Sequence, residues 1–323
     1  MTTPPPPPPS PAAPPPPATT GLAGQPPAIS VRGLTKNYSG QRVVDQVSFD
    51  VPRGRVVGFL GPNGAGKSTT MRMIIGLTAP TAGEAQILGR PFARLDDPVH
   101  TVGSIVDGVE YHPGRRAIEE LRVNATAVGI PRSRCDEVLE LVGLEHAANK
   151  RVGAYSLGMR QRLGIAQAML GDPQVLLLDE PANGLDPQGI LWVRQFLRGL
   201  ADEGRSILVS SHLINEVARL ADDVIVIRQG RIVTEASVSE LTAVAGGAAV
   251  TVTSRDDVRL QQALVERGAE VVPGTTGLTV RNLDADGIGE VALAAGIALR
   301  ELRPITAELE DVFMELTAEG EIR

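Results

Sequence analysis

The chain has 323 residues, a length suited to about two domains. Hydrophobic residues make up 42%, enough for real cores, but aromatics are only 3%, so those cores must be built from Leu, Val, Ile and Ala. A net charge of −7 with no Lys/Arg block argues against a general nucleic-acid binder.

The single cysteine, Cys135, excludes an intrachain disulfide, and cysteine-poor composition fits a reducing compartment. The sequence has no apolar run of about 18 residues and no signal peptide with a basic head. It is therefore not expected to span a membrane, and any membrane role needs a partner.

Residues 1–27 hold 13 of the 25 prolines and no charged residue. Pro4–Pro9 and Pro14–Pro17 favour extended polyproline II, and the segment is expected to be a disordered, solvated tail. From Ala28 to about Glu235, strand-like runs alternate with helical ones. Ile29–Val31, Val47–Val51 and Ala85–Leu88 read as half-buried strands. Val56–Leu60, Val175–Asp179, Ile207–Ser210 and Val224–Ile227 are short apolar runs bounded by turn residues, the pattern of parallel strands covered on both faces. Helices are expected over Thr70–Leu77, Arg132–Val142, Ser156–Leu170 and Pro187–Asp202, the last with Ile190, Val193, Phe196, Leu197 and Leu200 at helical spacing. Such alternation defines an α/β fold with a parallel sheet, whose ligands sit beyond the C-terminal ends of the strands.

Residues 235–247 are rich in small side chains and read as a linker. Beyond them the order is strand (Ala249–Thr253), helix (Asp256–Glu266), strand (Glu270–Val272), strand (Leu278–Val280), helix (Asp286–Ala294), strand (Ala298–Glu301) and helix (Thr306–Thr317). The first six elements follow the β-α-β-β-α-β order of a ferredoxin-like unit. It carries no catalytic constellation and reads as a small α+β accessory domain over 248–323.

The most specific local signal is Gly61-Pro62-Asn63-Gly64-Ala65-Gly66-Lys67-Ser68-Thr69, which fits G-x-x-x-x-G-K-[ST] between a strand and a helix. Glycines let backbone N–H groups turn towards phosphate oxygens, and the helix N-terminus adds partial positive charge at the same point. Lys67 is expected to reach the β- and γ-phosphates of a nucleotide and Ser68 to ligate Mg²⁺. The chain contains only three lysines, Lys36, Lys67 and Lys150, which makes a chance match improbable.

Val175–Asp179 followed by Glu180 is an apolar strand ending in two carboxylates. Asp179 is placed to hold Mg²⁺ and Glu180 to accept a proton from an attacking water. Ser156, with Gly158 close behind, is a helix cap and also a candidate anion site at a helix N-terminus.

In this order the motifs resemble the nucleotide-binding subunit of an ATP-binding cassette (ABC) transporter, over residues 28 to about 235. Tyr155–Met159 resembles the family's Leu-Ser-Gly-Gly-Gln signature, with Leu157 where Gly is usual and Met159 where Gln is usual. Asn183–Asp186 resembles the D-loop, Ser210-Ser211-His212 the switch histidine, and Tyr38 the aromatic residue that stacks on adenine. Asp107 falls where the Q-loop glutamine belongs and is a candidate ligand of Mg²⁺. Asp311-Val312-Phe313 resembles the C-terminal end of the drug and antibiotic export subfamily.

The resemblance implies a RecA-like P-loop NTPase core, a small antiparallel β subdomain, and a helical subdomain over about 110–170 that carries the signature. It also implies ATP and Mg²⁺ as ligands, and two ATPase subunits, alike or different, that sandwich two ATPs. The loop at Gly61–Ser68 of one copy then faces Ser156–Gly158 of the other. A separately encoded permease would be met near Tyr111–Arg116, with no nucleic-acid partner and the subunit peripheral on the cytoplasmic side of the membrane. Two other readings stay open at this point: a soluble ABC ATPase acting on ribosomes or DNA, and a nucleotide-regulated module with little turnover.

Overall fold

The computed structural model describes residues 26–108, 110–245, 249–274 and 277–305. The tail expected over 1–27, apart from Pro26 and Pro27, and the helix expected over Thr306–Thr317 both lie outside the described residues.

The first elements among the described residues form a hairpin, β1 (Ile29–Tyr38) and β2 (Gln41–Val51). Ser39 and Gly40 turn it, both with positive φ (49° and 86°), as a two-residue turn matched to the strand twist requires. Both strands run further than the sequence indicates, because their polar ends (Lys36, Asn37, Gln41, Arg42) pair through the backbone beyond the apolar stretch.

Next come β3 (Val56–Leu60), α1 (Lys67–Ile74), β4 (Ala82–Ile87), a short α2 (Pro98–Thr101) and β5 (Val102–Ile105). β4 joins the hairpin in an antiparallel sheet of order β2-β1-β4, the expected β subdomain. α3 (Ala117–Ala127), α4 (Ser133–Leu141) and α5 (Leu157–Ala168) form the helical region. α3 has no counterpart among the expected helices; the Glu119 carboxylate accepts from the Arg116 N–H at 3.4 Å, and Ala117, Ile118, Leu121 and Ala125 are its buried apolar residues.

The core continues through β6 (Val175–Asp179), α6 (Pro187–Asp202), β7 (Ser206–Ser211), α7 (Ile214–Ala218), β8 (Asp223–Arg228) and β9 (Arg231–Ser237). The central sheet has the order β5-β6-β7-β3-β8-β9, parallel except for β9. Every residue of β3 and β6 is buried. Successive side chains of β6 serve opposite faces: Leu176 and Leu178 pack with α3, α5 and α6 residues such as Leu121, Leu163 and Leu197, while Val175 and Leu177 pack with Phe59, Met71 and Ile74.

The segment read as a linker is not one. β9 extends to Ser237, and α8 (Val238–Ala245) follows directly. Ser237 accepts from the Glu240 N–H (3.1 Å) and Glu240 accepts from the Ser237 N–H (2.9 Å), a capping box that starts a helix. Val238 and Leu241 pack against Leu60, Val217, Val224 and Val226. Small residues hid this helix, because Ala and Val give only a weak amphipathic pattern.

The C-terminal unit comprises β10 (Ala249–Ser254), α9 (Asp257–Glu266), β11 (Glu270–Gly274), β12 (Gly277–Arg281), α10 (Ala285–Ala294) and β13 (Leu299–Ile305). Its sheet is antiparallel throughout, in the order β11-β12-β10-β13. Counted within the unit, this is second-third-first-fourth, the arrangement of a split β-α-β unit. Val250, Val252, Leu260, Leu264, Val280 and Ile288 form its own core. No helix among the described residues is long and apolar enough to cross a membrane.

Candidate nucleotide site

The site gathers at the C-terminal ends of β3, β6 and β7, which are neighbours in the sheet. Parallel register sets Leu60 beside Ser211 and Asp179 beside Ser210. The loop after Leu60, the acid pair after Leu178 and the segment Ser210–His212 therefore meet at one edge.

The loop requires its glycines. A Cβ on Gly61 would stand 2.3 Å from the Ile227 carbonyl oxygen, and one on Gly66, at φ 109°, would stand 2.9 Å from the Val43 oxygen. Gly66 is also the N-cap of α1 and offers no side-chain acceptor, so the first-turn N–H groups stay available to an anion. Gly61→Ala should lower folding stability by about 1–3 kcal/mol through overpacking against β8. Denaturant melts of the two chains check this; an unchanged midpoint contradicts it. Pro62, Asn63 and Gly64 form the exposed crown of the loop, whereas Ala65 is buried and Ser68 and Thr69 are half-buried at the start of the helix.

Lys67 is only 5% exposed. Its ammonium donates to the carbonyl oxygens of Gly61 (2.7 Å) and Pro62 (3.3 Å) and lies 3.3 Å from Glu180 Oε1. Glu180 has φ 51°, unusual for a residue with a side chain. Its N–H donates to Ser210, to the carbonyl (3.2 Å) and to Oγ (3.0 Å), which pins the backbone. The other carboxylate oxygen, Oε2, lies 2.8 Å from His212 Nδ1. A neutral ring that donates from Nδ1 has only an acceptor at Nε2. Donation to a γ-phosphate thus requires the Glu180 contact to break or the ring to carry a proton.

Asp179 is buried and accepts a hydrogen bond from the Ser210 hydroxyl. Its carboxylate and the Ser68 hydroxyl are hard oxygen donors of the kind that could hold Mg²⁺. No cluster of three or more His, Cys, Asp or Glu suited to a metal occurs among the described residues. Asp107, also at positive φ (65°), is engaged differently from the sequence expectation: it accepts from Arg72 Nε at 2.5 Å, one helical turn past Ser68.

Tyr38 stands at the end of β1, 44% exposed, with the Lys36 ammonium 4.9 Å from its ring centroid. The hairpin end lies beside the loop, since Val43 of β2 approaches Gly66. An exposed ring there suits stacking on a base.

Ser156 is the N-cap of α5, accepting from Met159 N–H at 3.2 Å, and it is exposed with Gly158 half-buried behind it. No hydrogen bond or ion pair among the described residues joins Ser156 or Gly158 to residues 61–68. Asp186 caps α6, accepting from Gly189 N–H at 2.8 Å, with Pro187 in the first turn. Sequence reasoning missed the part played by Ser210, which binds both acids, and the sharing of Glu180 by Lys67 and His212; both depend on which strands become neighbours.

Comparison with known proteins identifies relatives of this chain. The family model described as ABC transporter matches residues 44–183, and a model described as a domain of unknown function matches residues 248–310. The bacitracin transport ATP-binding protein BcrA of Bacillus licheniformis is 45% identical over 210 residues, covering 64% of this chain and 69% of its own. The Nod factor export ATP-binding protein I of Ralstonia nicotianae is 38% identical over 314 residues, covering 91% and 95%. Among solved structures, a dimeric ATP-binding cassette in a post-hydrolysis state with ADP and Pi superposes with TM-score 0.59 at 26% identity, covering 65% of this chain and 98% of that one. The chain belongs to the ATP-binding proteins of ABC transporters. Its core is the RecA-like P-loop fold with the expected β and helical subdomains.

Proposed function

We propose that this chain hydrolyses ATP to drive a separate membrane permease, and that the transporter exports a drug-like or lipophilic compound. The observation that carries the reading is the convergence of Lys67, Glu180 and His212 beside a glycine loop on three adjacent strands. Export is supported by likeness to relatives named for bacitracin and lantibiotic transport and for Nod factor export.

In this reading the backbone N–H groups at Gly61–Thr69 and the Lys67 ammonium bind the phosphates, and Tyr38 stacks on the adenine. Ser68 and Asp179 hold Mg²⁺, which when bound neutralises charge on the transferring phosphoryl group. Glu180 takes the proton of the attacking water, and His212 donates to a γ-phosphate oxygen. Ser156 and Gly158 serve the ATP of a second subunit, either another copy or a relative, because α5 presents its N-terminus outward and engages no part of its own loop.

The subunit would sit peripherally on the cytoplasmic face of the membrane, touching the permease near Tyr111–Arg116. The test is to purify the tagged chain from native membranes and identify what comes with it. A multispanning permease is expected. Ribosomal or DNA-bound partners with no membrane protein would overturn the transport reading while leaving an ATPase.

A further inference from the structure

Leu157 departs from the small residue usual in the signature, and the structure shows what its side chain touches. A Cβ added to Gly184 would stand 2.9 Å from Leu157 Cδ2, and one added to Gly158 would stand 3.8 Å from Leu185 Cδ2. Gly184 also holds φ 72°, so the loop at 183–186 turns under the leucine at the one residue that leaves room for it. Further along the same helix, the Arg162 guanidinium lies 4.1 Å from the centroid of the Trp192 ring, which in turn stacks on Phe196 at 5.0 Å. Arg162 also donates to the Val142 carbonyl at 3.3 Å. Two contacts on α5, at Leu157 and Arg162, thus fasten it to the loop before α6 and to α6 itself.

We propose that Leu157 is a positioning residue for ATP hydrolysis, locking the N-terminus of α5 to the 183–186 loop so that both move as one body when two subunits close. The proposal rests on the ATPase reading above. Leu157 is 45% exposed and contributes little burial, so the contact serves register more than stability. The loop it touches begins three residues after Glu180, whose carbonyl accepts from Asn183 N–H at 3.1 Å. A shift at Leu157 therefore reaches the backbone that carries the general base.

Two readouts test this. Leu157→Ala should lower kcat about five- to tenfold while the KM for ATP changes less than about twofold, since the phosphate cradle is untouched. Trp192 is the only tryptophan in the chain and reports the α5–α6 contact by fluorescence. Mg-ATP should change its emission in Glu180→Gln and change it by less than half as much in Glu180→Gln/Leu157→Ala.

An unchanged kcat in Leu157→Ala, or equal emission changes with and without Leu157, would overturn the positioning role alone. Failure of Glu180→Gln to bind ATP would overturn the ATPase reading and this proposal with it.

Discussion

Glu180→Gln is expected to cut ATP turnover by about 10²–10⁴-fold, the contribution of a positioned general base. The substitution keeps the size of the side chain between Lys67 and His212 and removes only the anion that takes the proton. Nucleotide binding should survive and tighten. In the present arrangement the Lys67 ammonium is shared between two loop carbonyls and Glu180, and a neutral amide releases it to the phosphates. The variant should therefore accumulate as an ATP-bound dimer. Phosphate release at saturating Mg-ATP, read beside the molar mass in solution, checks both parts. Hydrolysis at the unmodified rate would remove Glu180 from the role of base.

Lys67→Ala should weaken ATP binding about 10- to 100-fold, since hydrogen bonds to charged groups contribute about 1.5–3 kcal/mol net. The loss falls on the phosphates, so ATP should suffer more than adenosine. Lys67 is buried, and its removal also leaves the Gly61 carbonyl without its 2.7 Å donor and Glu180 without its neighbouring cation. A modest fall in melting temperature of the nucleotide-free protein should accompany the binding loss. Titration calorimetry measures the affinity; equal ATP affinity in the two chains contradicts the cradle assignment.

Much of the architecture was legible because its signals are local. β3 and β6 fall on the residues marked by continuous apolar runs, since a strand covered on both faces needs no alternation. α6 begins and ends where expected, because Asp186 and Pro187 punctuate its start and an apolar stripe runs its length. The β-α-β-β-α-β order of the C-terminal unit also survived, its turns marked by Gly268 and Gly296. β5 and α3 were harder. β5 has four residues with a glycine among them, and α3 mixes its apolar positions with Glu119, Glu120, Arg122 and Asn124.

In the site, the sequence marks the loop glycines, Lys67, Ser68, Asp179, Glu180 and His212, and the fold brings the loop, Glu180 and His212 together. What the sequence could not disclose was the order β6-β7-β3, which is what puts Ser210 against both acids and Glu180 between Lys67 and His212. Asp107 illustrates the converse. Its position along the chain marked it as a metal ligand, yet its carboxylate pairs with Arg72, a residue with no motif to announce it.

The central claim is that ATP is hydrolysed in sites shared by two subunits, Lys67 from one and Ser156 from the other. Mixing two inactive variants tests it most directly. Lys67→Ala spoils the loop half of a site, and Ser156→Arg fills the exposed cap that faces the partner's phosphates. Each alone should show background phosphate release. A mixed pair has one site built from two intact halves, so the account predicts that activity returns on mixing. Activity that stays at background in the mixture, with pairing of the two variants verified, would contradict it.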